Sequence, residues 1–258
     1  MEDPNPIPGE PAAPLSLTDR LTGVFANPGE VFDSVKAGPP APANWLVPAL
    51  LYLVVAWAGV ALFFSQPTLS RKLTEIQFAA IDQQIAAQKI PETQANAMRQ
   101  AVEITTKIGM AVSPVFIAFL TPFWSGLLLW GVGRLVFKAH FGYLQAVEVA
   151  GLSNLILVLA SLVQTLLVIG LANPLASPGP VLLLKNLDPS RPSFMVLTLL
   201  NVFTLWVLGL RALGLARLAG VTFARAAAWV FGLWIVLNGS MLGLSLAAQT
   251  LIKSLQPH

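Results

Sequence analysis

Residues 45–64 read WLVPALLYLVVAWAGVALFF, twenty positions without one charged side chain. At 1.5 Å rise per residue, a helix of that length covers the ~30 Å hydrocarbon core of a bilayer. Backbone groups in lipid have no water to bond with, so such a run crosses as a helix. Trp45 marks one headgroup boundary. Downstream, four more apolar runs follow at about 108–137, 143–171, 194–215 and 226–246. The second contains Pro114 and Pro122, which predict a kink, and the third ends at Asn173-Pro174. Five spans place the two ends of the chain on opposite sides of the membrane.

Composition agrees with this reading. The chain has 258 residues, is 55% hydrophobic and only 10% charged, and its mean hydropathy is +0.72. A soluble domain carries about 25% charged residues, because its surface must prefer water. The net charge of +3 sits at the ends of apolar runs, where cations meet headgroups. No basic patch of the kind that binds nucleic acid is present. Cysteine is absent, so disulfides, thiolate chemistry and sulfur-ligated metals are excluded.

Upstream of the first span, residues 1–15 are acidic and proline-rich, with neither the basic nor the apolar part of a secretory signal. They read as a disordered tail, with nothing apolar to bury. Within 16–44, Ser16 and Thr18 are N-cap candidates ahead of Leu17, Leu21, Val24 and Phe25. Asn27-Pro28-Gly29 breaks that helix and starts another, carrying Val31, Phe32 and Val35 on one side. Both pieces are too short and polar to span, and they predict amphipathic helices lying in the membrane interface. The segment 66–107 carries nine charges and predicts an extramembrane helical hairpin, its second arm starting at Pro91.

Orientation follows from the cations of the short loops. Arg134, Lys138, Arg211, Arg217 and Arg225 fall on the side of the N-terminus; Lys185, Arg191 and Lys253 fall opposite. The excess predicts a cytoplasmic N-terminus, in a plasma (inner) membrane. The five cations of the 66–107 segment pull the other way.

Chemistry needs an acid, base, nucleophile or metal at fixed geometry. The chain has two histidines, His140 and His258, neither with a companion at metal-ligand spacing. There is no Gly-x-Ser-x-Gly elbow and no phosphate-cradling glycine loop. No catalytic residue, metal site or cofactor is therefore predicted. Glu148 lies about a turn inside span three and reads as an interfacial ion pair with Arg134. Arg211 and Arg217 read as snorkelling cations at a span end.

Uncharged polar residues inside the spans form a pattern. Asn154, Ser161 and Thr165 on span three fall at i, i+7 and i+11. Asn238 and Ser245 on span five are followed by Gln249, and Asn201 and Thr204 lie on span four. Facing one another they exchange hydrogen bonds that lipid cannot offer, which predicts a polar seam among spans three, four and five. The seam reads as interhelical adhesive, the alternative being a hydrophilic path. Gly239, Gly243 and Ala247 make a small-xxx-small ladder for helix packing, within the bundle ahead of a dimer.

Three stretches together resemble the bacterial branch of the Yip1 family of multispanning membrane proteins. They are Leu21-Thr-Gly-Val-Phe-Ala-Asn-Pro-Gly-Glu-Val-Phe32, then Asn201-Val-Phe-Thr-Leu-Trp206 with Leu210 and Gly214, and finally Gly220-Val-Thr-Phe-Ala-Arg-Ala226. The family's Asp-x-Phe-x-x-Trp pattern has an acid where Asn201 stands. The resemblance covers about residues 20–250 and implies a helical bundle with a cytosolic N-terminus. For eukaryotic relatives it implies roles in vesicle trafficking and binding of small prenylated GTPases.

The expected protein is thus an all-α integral membrane bundle of five transmembrane helices. It has N-terminal interfacial helices and an extramembrane helical hairpin between spans one and two. The expected function is non-enzymatic: membrane organisation or trafficking-like scaffolding through helix and lipid contacts. The alternative is a small-solute or ion transporter using the seam. Its partners would be membrane lipids, other membrane proteins or a second copy, and no nucleic acid.

Overall fold

The computed structural model describes residues 15–86, 90–184, 187–189 and 191–254; within helices, the side chains at 80, 83, 84, 245, 246 and 248–254 fall outside that description. The expected disordered tail, apart from Leu15, lies outside the described residues, as does His258. Ten α-helices follow one another, and no strand occurs among the described residues. They are α1 (Leu17–Ala26), α2 (Pro28–Ala37), α3 (Ala43–Phe64), α4 (Pro67–Ala86), α5 (Glu92–Leu135), α6 (Tyr143–Ser153), α7 (Leu155–Gly170), α8 (Pro192–Leu199), α9 (Val202–Ala219) and α10 (Phe223–Ser254).

Five stretches are long and apolar enough to cross a membrane: Ala43–Phe64, Glu92–Leu135, Tyr143–Gly170, Val202–Ala219 and Phe223–Leu244. The protein is therefore a multi-pass integral membrane protein. Two boundaries move from their expected places. Span three is interrupted at Asn154, which divides it into α6 and α7. Span four, expected over 194–215, is α9 alone. The residues before it form the separate short helix α8, and Asn201 divides the two. At its other end α9 runs to Ala219, where Gly220 adopts φ +66° and its N–H bonds the Ala216 carbonyl. As a result Arg211 lies eight residues, about 12 Å, inside the end of the span. It does not belong to a loop and drops out of the charge count used for orientation.

The N-terminal helices form by the expected local chemistry. Ser16 Oγ accepts the Asp19 N–H at 3.2 Å while the Asp19 carboxylate accepts the Ser16 N–H, a reciprocal cap. Pro28 opens α2, where its missing N–H costs nothing. Most of their apolar stripe, however, is closed against protein, while Phe25 stays 46% exposed. Val24, Val31, Phe32 and Val35 are at most 2% exposed and belong to the main core with α6 and α9. Polar ties fix the placement: Asp33 pairs with Arg217 at 3.0 Å, and Lys36 Nζ donates to the Arg217 carbonyl at 2.9 Å. These helices form a cap over one end of the bundle, with their apolar faces turned inward.

At the opposite end, α4 and the first part of α5 form the hairpin. Asp82 meets Arg99 at 2.5 Å, Gln77 Nε2 donates to Thr106 Oγ1 at 2.9 Å, and Arg99 lies over the Phe78 ring. The second arm and span two are one uninterrupted helix of 44 residues, about 65 Å long. It passes through Pro114 and Pro122 without a break. The Trp57 indole of α3 donates to the Ala111 carbonyl at 2.9 Å and ties α3 to α5 beside the first proline.

α6 is the hub. Every residue from Ala146 to Ser153 is buried, among α1, α2, α3, α5 and α9. α10 is the opposite case: 6% of its apolar window is fully buried, against 50% for α9, so it packs on the bundle by one half-buried side and leaves the other exposed.

Candidate functional site

Among the described residues, two charged groups stand within the spans and make their hydrogen bonds there, and both sit on the hub or touch it. The first is Glu148 of α6, only 2% exposed. Its Oε1 accepts the Ala41 backbone N–H at 3.0 Å, and its Oε2 accepts Asn44 Nδ2 at 2.5 Å. Asn44 is 1% exposed. Glu148 therefore clamps the turn between α2 and α3 onto α6. One helical turn away, Gln145 Nε2 donates to the carbonyls of Val35 and Lys36 at the end of α2. The positive charge acting on Glu148 comes from Arg20 of α1. Arg134 is exposed at the end of α5 and, among the described residues, makes no ion pair with Glu148. The expected pair fails because Glu148 turns toward the N-terminal cap, a direction that spacing along span three cannot reveal.

The second charged group is Arg211 of α9. Its Nη2 donates to Asn154 Oδ1 at 2.9 Å, across spans four and three, at the point where α6 gives way to α7. Asn154 is itself 4% exposed. An arginine inside a span costs about 2.5–3.5 kcal/mol on insertion scales. A hydrogen bond to a charged group returns about 1.5–3 kcal/mol, so the Asn154 bond is of the size needed to hold it there. Arg211 Nε is buried with no partner, and among the described residues no carboxylate pairs with the guanidinium. The snorkelling expectation for Arg211 thus gives way to a part-buried cation held across the spans by Asn154. For Arg217, at the end of α9, the partner is Asp33.

Arg211 also lines a cavity of about 360 Å³ enclosed by α5, α9 and α10. Its other walls include Ser125, Val132, Trp234 and Asn238, and Trp124 and Met241 stand exposed at its rim. A second cavity, about 390 Å³, lies among α3, α5 and α7 and is lined by Tyr52, Ser113, Ser161, Gln164 and Thr165. It has polar side chains but no charged one. Gln164 Nε2 donates to the Ala176 carbonyl beside it.

The expected seam is therefore divided among several neighbours. Asn154 faces α9, whereas Ser161 and Thr165 face α3 and α5, and the Thr165 hydroxyl bonds the Ser161 carbonyl. Asn201 caps α9: its Oδ1 accepts the Phe203 N–H at 2.9 Å and its Nδ2 donates to Ser177 Oγ at 3.2 Å. Thr204 is half-buried one turn on. Asn238 donates to the Trp234 carbonyl of its own helix and reaches the Arg211 cavity. The side chains of Ser245 and Gln249 lie outside the described residues. The break in span three supplies the reason: a residue step of i+7 keeps one face only along an unbroken helix.

Two members of the glycine ladder point elsewhere too. A Cβ at Gly239 or Gly243 would meet nothing within 4 Å among the described residues, so these two glycines are not the internal contact expected of them. The close helix contacts are made by other glycines. A Cβ at Gly126 of α5 would come within 2.9 Å of the Val147 backbone, and one at Gly151 of α6 would collide with Trp45 of α3. His140 is exposed in its loop, and among the described residues no three histidines, acids or cysteines gather as a metal site would require. No curated protein and no solved structure matches the chain. The family model of the Yip1 domain matches residues 22–244.

Proposed function

The chain belongs to the Yip1 domain family, and from that membership we propose a non-enzymatic protein that organises membranes through helix and lipid contacts. The observation that supports this reading most is how the polar side chains in the bundle are employed. Glu148 holds the cap, Asn154 holds Arg211, and Asn201 ends a helix, each engaged with a different neighbour. They do not converge on a reacting atom, and they do not line up as a path. Meanwhile α10 offers Ile235, Val236, Met241 and Leu244, each 60–71% exposed, to whatever surrounds the bundle. A photo-reactive residue at Leu244 is expected to join the chain to a second polypeptide in native membranes. Reproducible turnover by the purified protein, lost on changing one polar residue, would overturn the reading.

The proposal places the capped end, with α1 and α2, in the cytoplasm at a plasma (inner) membrane. Arg134, Lys138, Arg217 and Arg225 lie at that end, as the positive-inside rule asks. The chain has no cysteine of its own, so single substitutions report cleanly. A membrane-impermeant thiol reagent added to intact cells is expected to label Glu103→Cys in the hairpin arm and to leave Glu30→Cys in α2 untouched. The reverse pattern would invert the orientation.

A further inference from the structure

The Arg211 cavity has the form of a site for one particular kind of molecule. From Val230 to Met241 it follows α10 over eleven residues, about 16 Å at helical rise. Its walls there are Leu233, Trp234 and Leu237, with Leu128, Leu129 and Leu208 opposite. The exposed rim residues Trp124 and Met241 belong to α5 and α10, so the cavity opens between these helices on the outer, lipid-facing side of the bundle. Among the described residues, the only charge in its lining is the Arg211 guanidinium. An apolar slot with a few placed polar groups is the usual build of a small-molecule site, and ~360 Å³ lies at the low end of the usual 300–1,000 Å³.

We infer that this cavity binds a single-chain lipid anion, its compact carboxylate or phosphate head on Arg211 and its tail along α10 toward Met241. The volume argues for one chain over two. The depth of Arg211, about 12 Å within the span, argues for a head that carries no further polar group into the bilayer. The charge argues for an anion: a guanidinium offers forked donors to carboxylate or phosphate oxygens, and the Asn154 bond engages Nη2 and leaves Nη1 for such a partner. Asn238 and Ser125 add polar groups to the lining. The inference gives the proposed lipid contact a place and a chemistry, and it rests on that reading only for the membrane setting.

The test uses the full-length protein in phosphatidylcholine vesicles, titrated separately with palmitate, hexadecyl phosphate, hexadecanol and the two-chain anion phosphatidylglycerol. Palmitate or hexadecyl phosphate is expected to bind at least about tenfold more tightly than hexadecanol, the difference one charged hydrogen bond makes. Whichever of the two binds more tightly names the head. Arg211→Gln is expected to remove that preference, and Arg211→Lys to restore part of it. Leu237→Trp, which keeps the cation and fills the slot, is expected to weaken palmitate and hexadecanol alike. This second variant decides the matter if Arg211→Gln does not fold. Equal binding of palmitate, hexadecyl phosphate and hexadecanol by the parent protein would overturn the inference, as would tighter binding of phosphatidylglycerol than of either single-chain anion. So would a Leu237→Trp protein that binds palmitate unchanged. Binding of palmitate without any polypeptide captured at Leu244 would instead remove the scaffold reading and leave the site standing.

Discussion

Gly151→Ala is expected to destabilise the protein by about 1–3 kcal/mol or more, the cost of overpacking a tight contact. Gly239→Ala is expected to change nothing or to stabilise by up to about 1 kcal/mol. Both positions are helical glycines, so both gain the same ~1 kcal/mol of helix propensity from alanine. Their surroundings differ. At Gly151 the added methyl would strike the Trp45 backbone and sit 3.1 Å from the Asn44 carbonyl, and backbone cannot rotate away as a side chain does. At Gly239 no atom lies within 4 Å to be struck. Thermal unfolding in non-ionic detergent would read the two signs. Equal losses would mean either that α3 and α6 yield readily or that α10 is covered by a partner. The contrast also tests which glycines hold this bundle, since the ladder on α10 has the better sequence signature.

The second large effect belongs to the clamp on α6. Glu148→Ala is expected to cost about 2–6 kcal/mol, because it removes the shared acceptor of two donors. It deprives the part-buried Ala41 N–H and the buried Asn44 amide of their acceptor. Each orphaned donor carries a penalty of about 1–3 kcal/mol, so the two together reach the same range. Combining Glu148→Ala with Asn44→Ala is expected to recover part of that loss, as contacting residues couple by about 0.5–3 kcal/mol. Arg134→Ala is the control. Its side chain is exposed and pairs with no described acid, so the effect should stay within about 0.5 kcal/mol. A loss at Arg134 equal to that at Glu148 would revive the interfacial ion pair.

What the residues reveal on their own divides along a physical line. Membrane crossing is a one-dimensional property, because length and the absence of charge decide it. The first span, read at 45–64, is Ala43–Phe64, and the fifth, read at 226–246, lies within α10. The caps at Ser16 and Pro28 are likewise local and legible. The site is three-dimensional. Nothing in the spacing of Asn154, Ser161 and Thr165 shows that the helix is interrupted at Asn154, which separates their faces. Arg211 reads as a snorkelling cation near the end of span four as long as that span is drawn over 194–215; it lies deeper, and part-buried, once the helix is seen to run from Asn201 to Ala219. A signal did exist, since Asn is among the favoured N-cap residues. For Glu148 there was none. Its partners Ala41 and Asn44 lie more than a hundred residues upstream, across a turn that carries no periodicity.

The unbroken α5 has a mechanical consequence. Glu92 stands sixteen residues, about 24 Å along the rod, from the point where the charged arm gives way to apolar sequence at Ile108. With no joint between mast and keel, a load applied at the α4 tip cannot be absorbed by a linker. It tilts or turns the whole rod, and with it Trp124, Ser125 and Leu129, which are planks of the Arg211 chamber. A grip on the outside of this protein is therefore also a grip on its interior.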